Sequence, residues 1–501
     1  MTSQIIAAPA DSETAAKRRW IALAVLVTAQ FMVVLDVAIV NVALPTIKTD
    51  LHFSQEGLQW VITAYSILFG GVLLLGGRMA DLLGRRRLFM VGLTLFSVSS
   101  LLDGLAWSEG SLIVFRSLQG LGAALLAPAA LSILMTTFDE GRERNFALGI
   151  WGAVSGSGAA AGVLLGGALT SAFSWSWIFF VNVPVGALVL AVSPWLLRES
   201  RAQLDHRHFD TAGAATITGG LMVLVYALTR ASQHGWATAE TAALLAASAA
   251  LIVAFLVVEI RSRAPLLPLR IFKLRTLSGS NVTALLTGAA IFSQFFLLTL
   301  YMQQVLHYSA IKTGAAYLTF TLAIVVFSAV SQNVVTRIGI RRVLPAGMVL
   351  ATVSLLLFAQ LPVGGHYFWD LFPAFLVGGV GLAFVFVPMS IGALAGVDQR
   401  DAGVASGLLN TTQQIGGAIG VAIATTIATT YTSHYVSAHT GVGSLSPAAL
   451  THGFQIAFYV LAGIALAGAG LGAALIESHP AVESEPVQTA PGELEVIEEA
   501  A

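Results

Sequence analysis

Residues 58–77 read LQWVITAYSILFGGVLLLGG, a run of twenty residues without a charged side chain. As a helix rising 1.5 Å per residue, this run is about 30 Å long, which matches the hydrocarbon core of a bilayer. A strand of a membrane β-barrel would instead alternate apolar and polar residues over about ten positions. Because backbone groups in lipid must bond within their own segment, the stretch predicts a membrane-spanning helix.

The composition extends this prediction to the whole chain. Of 501 residues, 56% are hydrophobic and only 10% are charged, whereas soluble proteins use about 25% charged residues. The net charge of −1 provides no basic field for nucleic acid. The absence of cysteine excludes disulfides, thiolate metal sites and cysteine nucleophiles. An integral membrane protein is the class that remains.

Thirteen further runs have the length of a membrane span, which predicts an all-α membrane protein with fourteen transmembrane helices. The first run follows Lys17, Arg18 and Arg19 and has about 25 residues, too many for the core of a signal peptide, so it is expected to be a retained span. The fourteen predicted spans are 20–44, 57–77, 88–108, 110–137, 145–172, 176–197, 210–229, 238–258, 276–304, 313–335, 343–362, 370–396, 402–430 and 453–476.

Basic residues predict the orientation of these spans. If the spans cross the membrane in alternating directions, 21 of the 25 Lys and Arg residues lie on the side of the amino-terminal segment. Three lie on the opposite side, namely Lys48, Arg230 and Lys312, and Arg116 lies within a span. Short loops rich in Lys and Arg stay in the cytoplasm. Both termini are therefore predicted to be cytoplasmic.

A short repeat predicts two halves. Residues 80–87, ADLLGRRR, follow the second predicted span, and residues 335–342, VTRIGIRR, follow the tenth. Carriers are often built from such repeats. We predict a cytoplasmic tail (1–19), a six-helix bundle (20–200), a two-helix insert (201–265), a second six-helix bundle (266–476) and an acidic, disordered cytoplasmic tail (477–501).

Two opposite charges lie at similar predicted depths. Asp36 is about 12 Å from the outer end of the first span, and Arg116 is about 9 Å from the outer start of the fourth. A charge inside a membrane helix usually faces a cavity or a partner. The two side chains could therefore share a proton or form a purely structural ion pair, and Asp36 is expected to be the only deeply placed negative charge.

Several motifs resemble the major facilitator superfamily, in its fourteen-helix drug:proton antiporter branch. The run ending in NVALP (41–45) resembles the signature of that branch, GRMADLLGRRR (77–87) the superfamily's loop between helices two and three, and RSLQGLGAA (116–124) its helix-four motif. WIFFVNVP (177–184) and DAGVASGLLN (401–410) are also typical. The resemblance covers about residues 18–478 and implies a major facilitator fold with helices arranged six, two and six.

The resemblance also implies roles for named residues. Asp36 and Arg116 would couple proton movement to the change of state, and a gating latch would be formed by Gly77, Asp81, Gly84, Arg85 and Arg86. Small residues about one turn apart form a ridge for close helix packing, and the fifth span carries Gly152, Gly156, Gly158, Gly162 and Gly166. Two positions depart from the family pattern: Val163 replaces the usual proline, and Ser176 replaces the arginine of Trp-Arg-Trp.

These observations favour a proton-coupled antiporter that exports hydrophobic small molecules, with a proton-driven uptake symporter as the alternative. Neither a His-Glu-x-x-His motif nor a phosphate loop occurs, so we expect no enzyme activity, no metal, and no cofactor beyond the proton gradient. The expected partners are the lipid bilayer, a lipophilic substrate and protons, for a monomer in a bacterial inner membrane. Candidate cavity residues are the polar side chains Gln30, Asn41, Gln119, Gln294, Asn410 and Gln413.

Overall fold

The computed structural model describes residues 9–53, 55–139, 141–201, 210–262, 265–439, 443 and 445–477. Within these ranges the chain forms helices and connecting loops and contains no β-strand. The α-helices are α1 (Pro9–Asp50), α2 (Gln55–Leu83), α3 (Arg85–Gly104), α4 (Glu109–Thr137), α5 (Arg142–Ala172), α6 (Trp177–Phe180), α7 (Asn182–Leu196), α8 (Thr211–His234), α9 (Ala239–Arg261), α10 (Arg275–Leu300), α11 (Ala310–Ala316), α12 (Leu318–Ile338), α13 (Ile340–Phe358), α14 (Phe372–Gly392), α15 (Ala402–Ala438) and α16 (Pro447–Leu475).

The prediction of an all-helical membrane protein is confirmed. In the described part of the chain, thirteen segments are long and apolar enough to cross a membrane, with α6 and α7 forming one of them and α11 and α12 another. The remaining predicted span is α5, with 31 residues and a length of about 46 Å. Because α5 connects the end of α4 to the start of α6, it must also cross.

The amino-terminal segment is helical where it is described: α1 begins at Pro9, so residues 9–19 of the predicted tail continue into the first span as one helix. Proline at a first helical position and acidic residues in the next turn favour a helix start, and Pro9, Asp11 and Glu13 supply both. Residues 1–8 and 478–501 lie outside the described residues, and with them nearly all of the predicted disordered tail.

Helices α6 and α7 together form the sixth predicted span. Helix α6 ends at Phe180 and α7 starts at Asn182, and Val181 between them has helical dihedral angles, φ −60° and ψ −29°. Pro184 cannot donate a hydrogen bond to the carbonyl of Phe180, four residues earlier, so one helical hydrogen bond is missing at this junction. The side chain of Asn182, at the start of α7, is buried.

The helices pack as two groups plus a pair. Helices α1 to α7 contact one another, as do α10 to α16, while α8 lies beside α9 and touches α2 and α15. The groups meet mainly where α2 contacts α15 and where α5 contacts α12 and α14. The predicted repeat has a structural counterpart: Gly84 precedes α3 with φ 114°, and Gly339 precedes α13 with φ 82°, conformations that favour glycine. We call the side with these two turns the basic face.

Candidate transport site: a buried ion pair and an interhelical latch

Asp36 and Arg116 form a buried ion pair between α1 and α4. Arg116 Nη1 lies 2.6 Å from Asp36 Oδ2, and neither residue is more than 1% exposed. The other carboxylate oxygen, Oδ1, accepts hydrogen bonds from Gln119 Nε2 at 2.9 Å and Asn182 Nδ2 at 3.1 Å. Both oxygens of Asp36 therefore have donors, as a buried carboxylate requires.

The guanidinium of Arg116 has partners on several sides. Its Nε donates to the carbonyl oxygen of Val61 at 3.2 Å, and Nη1 also donates to Gln119 Oε1. Its central carbon lies 4.3 Å from the centroid of the Tyr65 ring, a distance at which a cation–π interaction contributes. These contacts use Nε, Nη1 and the face of the guanidinium group, and a lysine could not make them together.

Ser100 connects this pair to the rest of the amino-terminal group. Its hydroxyl accepts from Gln119 Nε2 and Asn182 Nδ2, each at 3.0 Å, and donates to the carbonyl of Phe179, also at 3.0 Å. The network therefore joins α1, α3 and α4 to the junction of α6 and α7, where Asn182 begins α7.

The geometry predicts different outcomes for two substitutions of Arg116. Arg116→Lys keeps the charge but loses the bond to Val61, and a bond made by a charged group contributes about 1.5–3 kcal/mol. We expect transport to fall roughly tenfold or more in Arg116→Lys, whereas Arg116→Ala leaves Asp36 unpaired and is expected to abolish transport. Initial efflux rates at equal membrane expression test this, and equal rates for wild type and Arg116→Lys would contradict it.

A second site joins the two groups of helices at the basic face. Asp81 Oδ1 accepts from Arg85 Nη2 at 2.7 Å, and the carboxylate also accepts from the backbone N–H groups of Gly403 and Val404, both at 3.2 Å. These N–H groups belong to the first turn of α15, where the helix dipole favours a negative charge. Asp81 therefore joins α2 to α15, a contact that we call the latch.

Two glycines allow this contact to form. A Cβ atom on Gly77 would lie 2.3 Å from the carbonyl oxygen of Gly403, and one on Gly403 would lie 2.4 Å from the carbonyl oxygen of Gly77. Beside them, Glu199 accepts from the backbone N–H groups of Arg86 and Arg87 at 3.2 Å. The predicted latch residues thus lie together, and the structure adds Gly403, Val404 and Glu199.

The predicted glycine ridge of α5 lies mainly against α1. Cβ atoms on Gly158, Gly162 and Gly166 would come within 2.7–2.8 Å of Val34, of Leu35 and Ala38, and of Ile39, respectively. Gly152 faces the backbone of Phe386 on α14 instead, and the surroundings of Gly156 lie outside the described residues. The ridge therefore brings α1 close to α5, and α5 continues through Val163 as one helix.

The six candidate cavity residues differ in their exposure. Gln119 is fully buried and bonded to Asp36. Gln30 and Gln294 are also buried, Asn410 and Gln413 are half-buried, and Asn41 is exposed. Asn410 donates to the carbonyl of Ser406, and Asn41 to that of Val37. Their roles toward a substrate stay predictions.

Sequence reasoning missed four residues of the buried network: Tyr65, Ser100, Asp103 and Asn182. Asp103 was detectable, because it is the one acidic residue in the third predicted span. It is fully buried one residue before the end of α3, so Asp36 is not the only buried acidic residue within the predicted spans. The other three are uncharged, and they approach Asp36 and Arg116 only after the helices pack.

Comparison with known proteins identifies the family. The Major Facilitator Superfamily model matches residues 26–421. A puromycin resistance protein of Streptomyces alboniger is 39% identical over 93% of both chains, and a cephamycin export protein of Amycolatopsis lactamdurans is 40% identical over 79% of this chain and 82% of that one. The crystal structure of a human organic anion transporter covers 91% of this chain and 99% of its own, with TM-score 0.64 at 15% identity. The chain therefore belongs to the Major Facilitator Superfamily of multi-pass membrane transporters.

Proposed function

We propose that this transporter is a drug exporter that exchanges a hydrophobic small molecule for protons across the cell membrane. The observation that carries the proposal is the Asp36–Arg116 pair, buried inside one helix group at 2.6 Å. A carboxyl group that holds an arginine when charged and releases it when protonated links proton binding to helix position. The names of the relatives, which refer to resistance and export, favour an antibiotic-like substrate.

The latch supplies the second element of the proposed cycle. We take the basic face as cytoplasmic, since 21 of the 25 basic residues belong to that side in the predicted topology. The contact of Asp81 with the first turn of α15 then closes the cytoplasmic side. A proton that reaches Asp36 loosens its hold on Arg116 and lets the helix groups move against each other, so that the substrate site is exposed alternately.

The proton gradient is sufficient to drive this exchange. One charge moving through 100 mV provides about 2.3 kcal/mol, and a tenfold concentration ratio corresponds to about 1.36 kcal/mol. One proton can therefore sustain a roughly fifty-fold gradient of a neutral substrate. We propose that no bound cofactor or metal takes part and that the chain works as a monomer in a bacterial inner membrane.

Inside-out vesicles provide the test. With an acidic lumen followed by a pH-sensitive dye, addition of puromycin is expected to dissipate the proton gradient in vesicles that contain the protein. Vesicles without the protein serve as the control. An unchanged gradient, together with uptake of puromycin and protons in the same direction by right-side-out vesicles, would favour the symporter and overturn the export proposal.

A susceptibility panel identifies the substrate class. Cells with and without the gene are compared against puromycin, a cephamycin and lincomycin, the compounds in the names of three relatives. We expect higher tolerance to at least one of them in cells with the gene. Equal susceptibility to all three would contradict the substrate class inferred from the names of the relatives. The proposal of proton coupling would then rest on the Asp36–Arg116 pair alone.

A further inference from the structure

Asp103 is a second carboxyl group beside the ion pair that the proposed cycle does not use. It lies in the last turn of α3, at the end away from the basic face, and its side chain is fully buried. Neither carboxylate oxygen has a hydrogen-bond partner among the described residues. Asp103 is nevertheless within electrostatic range of Arg116 and Asp36. A buried polar group without a partner needs an explanation.

The charges of this cluster give that explanation. Arg116 carries one positive charge, and Asp36 neutralises it by direct contact. An ionised Asp103 would add a second negative charge with no positive group left to balance it, and such a charge is costly in a buried site. When two carboxyl groups share one site, one of them holds a proton. The charge balance therefore places the proton of this cluster on Asp103.

Among the described residues of the helices that pack against α3, no further basic group lies near Asp103. Helix α3 packs against α2, α4, α6 and α7. Helix α4 contributes Arg116, and α2 contributes the hydroxyl of Tyr65. This hydroxyl also has no hydrogen-bond partner among the described residues. Helices α6 and α7 contain no ionisable residue. The cluster thus consists of one arginine, two carboxyl groups and a tyrosine.

We propose that Asp103 is a second proton carrier of the transport cycle, an inference that rests on the proposed proton-coupled function. Asp103 holds a proton while Asp36 pairs with Arg116. When the helices shift, the proton leaves the Asp103 carboxyl and binds to the Asp36 carboxylate, and Asp103, now charged, balances Arg116. One O–H bond breaks and one forms, so the cluster keeps the same net charge and needs no co-reactant.

The position of Asp103 suits this role. It lies one residue from the outer end of α3, whereas Arg116 lies seven residues inside α4, about 10 Å along the axis. Ser100, which belongs to the Asp36 network, is one turn below Asp103 on the same face of α3. Asp103 therefore lies between Asp36 and the face that receives protons in the proposed antiport.

Infrared spectroscopy of the purified full chain at neutral pH tests the protonation directly and does not depend on transport. We expect a C=O stretching band of a buried carboxylic acid in wild type, its loss in Asp103→Asn, and its retention in a shifted position in Asp103→Glu. Ser97→Ala is the matched control, because Ser97 is a buried residue of α3 whose hydroxyl also lacks a partner among the described residues. A spectrum of Asp103→Asn with every wild-type band would overturn the proposal.

Thermal unfolding then tests whether the two carboxyl groups share the arginine. Each single variant, Asp36→Asn or Asp103→Asn, keeps one carboxylate for Arg116, whereas the double variant keeps none. The melting temperature of the double variant is expected to fall by more than the sum of the two single shifts, and additive shifts would contradict the shared role.

Transport measurements complete the test. Asp103→Asn is expected to reduce puromycin-induced proton movement at least tenfold, and Asp103→Glu to restore it. Wild-type proton movement in Asp103→Asn would overturn the role of Asp103 while leaving the proposed exporter intact. If puromycin caused no proton movement in vesicles that contain the wild-type protein, that result would instead count against the proposed exporter itself.

Discussion

Asp36→Asn is expected to abolish proton-coupled efflux, with a loss of about 100-fold or more, while the protein still inserts in the membrane. Asparagine fills nearly the same space, but it can neither carry a proton nor balance the charge of Arg116. The variant also loses the direct bond between position 36 and Arg116, and a bond to a charged group contributes about 1.5–3 kcal/mol even when Asp103 balances the charge. The upper value already exceeds a factor of 100, and loss of the proton-binding carboxyl at position 36 removes the coupling itself. Puromycin-induced proton movement in inside-out vesicles measures the effect.

The matched control is Thr28→Val on the same helix. The Thr28 hydroxyl donates only to the carbonyl of Ala24 within α1, at 2.8 Å, so this variant removes a polar group without touching the ion pair. We expect wild-type proton movement in Thr28→Val. Full efflux by Asp36→Asn at wild-type expression would refute the coupling role of Asp36.

The sequence was sufficient to predict the ion pair because depth in a membrane follows from counting residues. Asp36 lies eight residues before the end of the first predicted span and Arg116 six residues after the start of the fourth, so the constant rise of a helix places both at similar depths. The energetic cost of an unpaired charge in lipid then requires a partner. Neither step depends on the packing of particular helices, and for this reason the prediction needed no structure.

The supporting residues could not be predicted in the same way. Asn182 lies 146 residues from Asp36 in sequence, and its amide reaches the carboxylate only after α7 has packed against α1. Gln119 is one turn from Arg116 on α4, but its contact with Asp36 likewise depends on the packing of α4 against α1. Asp81 bonds to the backbone of Gly403 and Val404, more than 300 residues away in sequence. Backbone N–H groups at the start of a helix have no residue-specific signature, so their partner becomes evident only after the two helix groups have packed.

Gly77→Ala is expected to open the latch at the basic face and to reduce the efflux rate by about 5- to 150-fold. The added Cβ would lie 2.3 Å from the carbonyl oxygen of Gly403 and 3.0 Å from its carbon. Neither atom can move away without moving α15, because both belong to the backbone. Overpacking of this kind typically costs about 1–3 kcal/mol, which corresponds to about a 5- to 150-fold shift from the closed state toward the open one.

The chain offers a direct measurement of this shift, because it has no native cysteine. Leu83 at the end of α2 and Ile338 at the end of α12 are about half exposed, so cysteines there can carry spin labels on the two helix groups. Gly70→Ala is the matched control on α2, since its Cβ would meet only a Val225 methyl group at 3.9 Å. We expect the distance distribution to shift to longer values in Gly77→Ala but not in Gly70→Ala. If both variants keep the wild-type distribution, the contact between Gly77 and Gly403 does not control closure, and Asp81 alone must hold α15 in place.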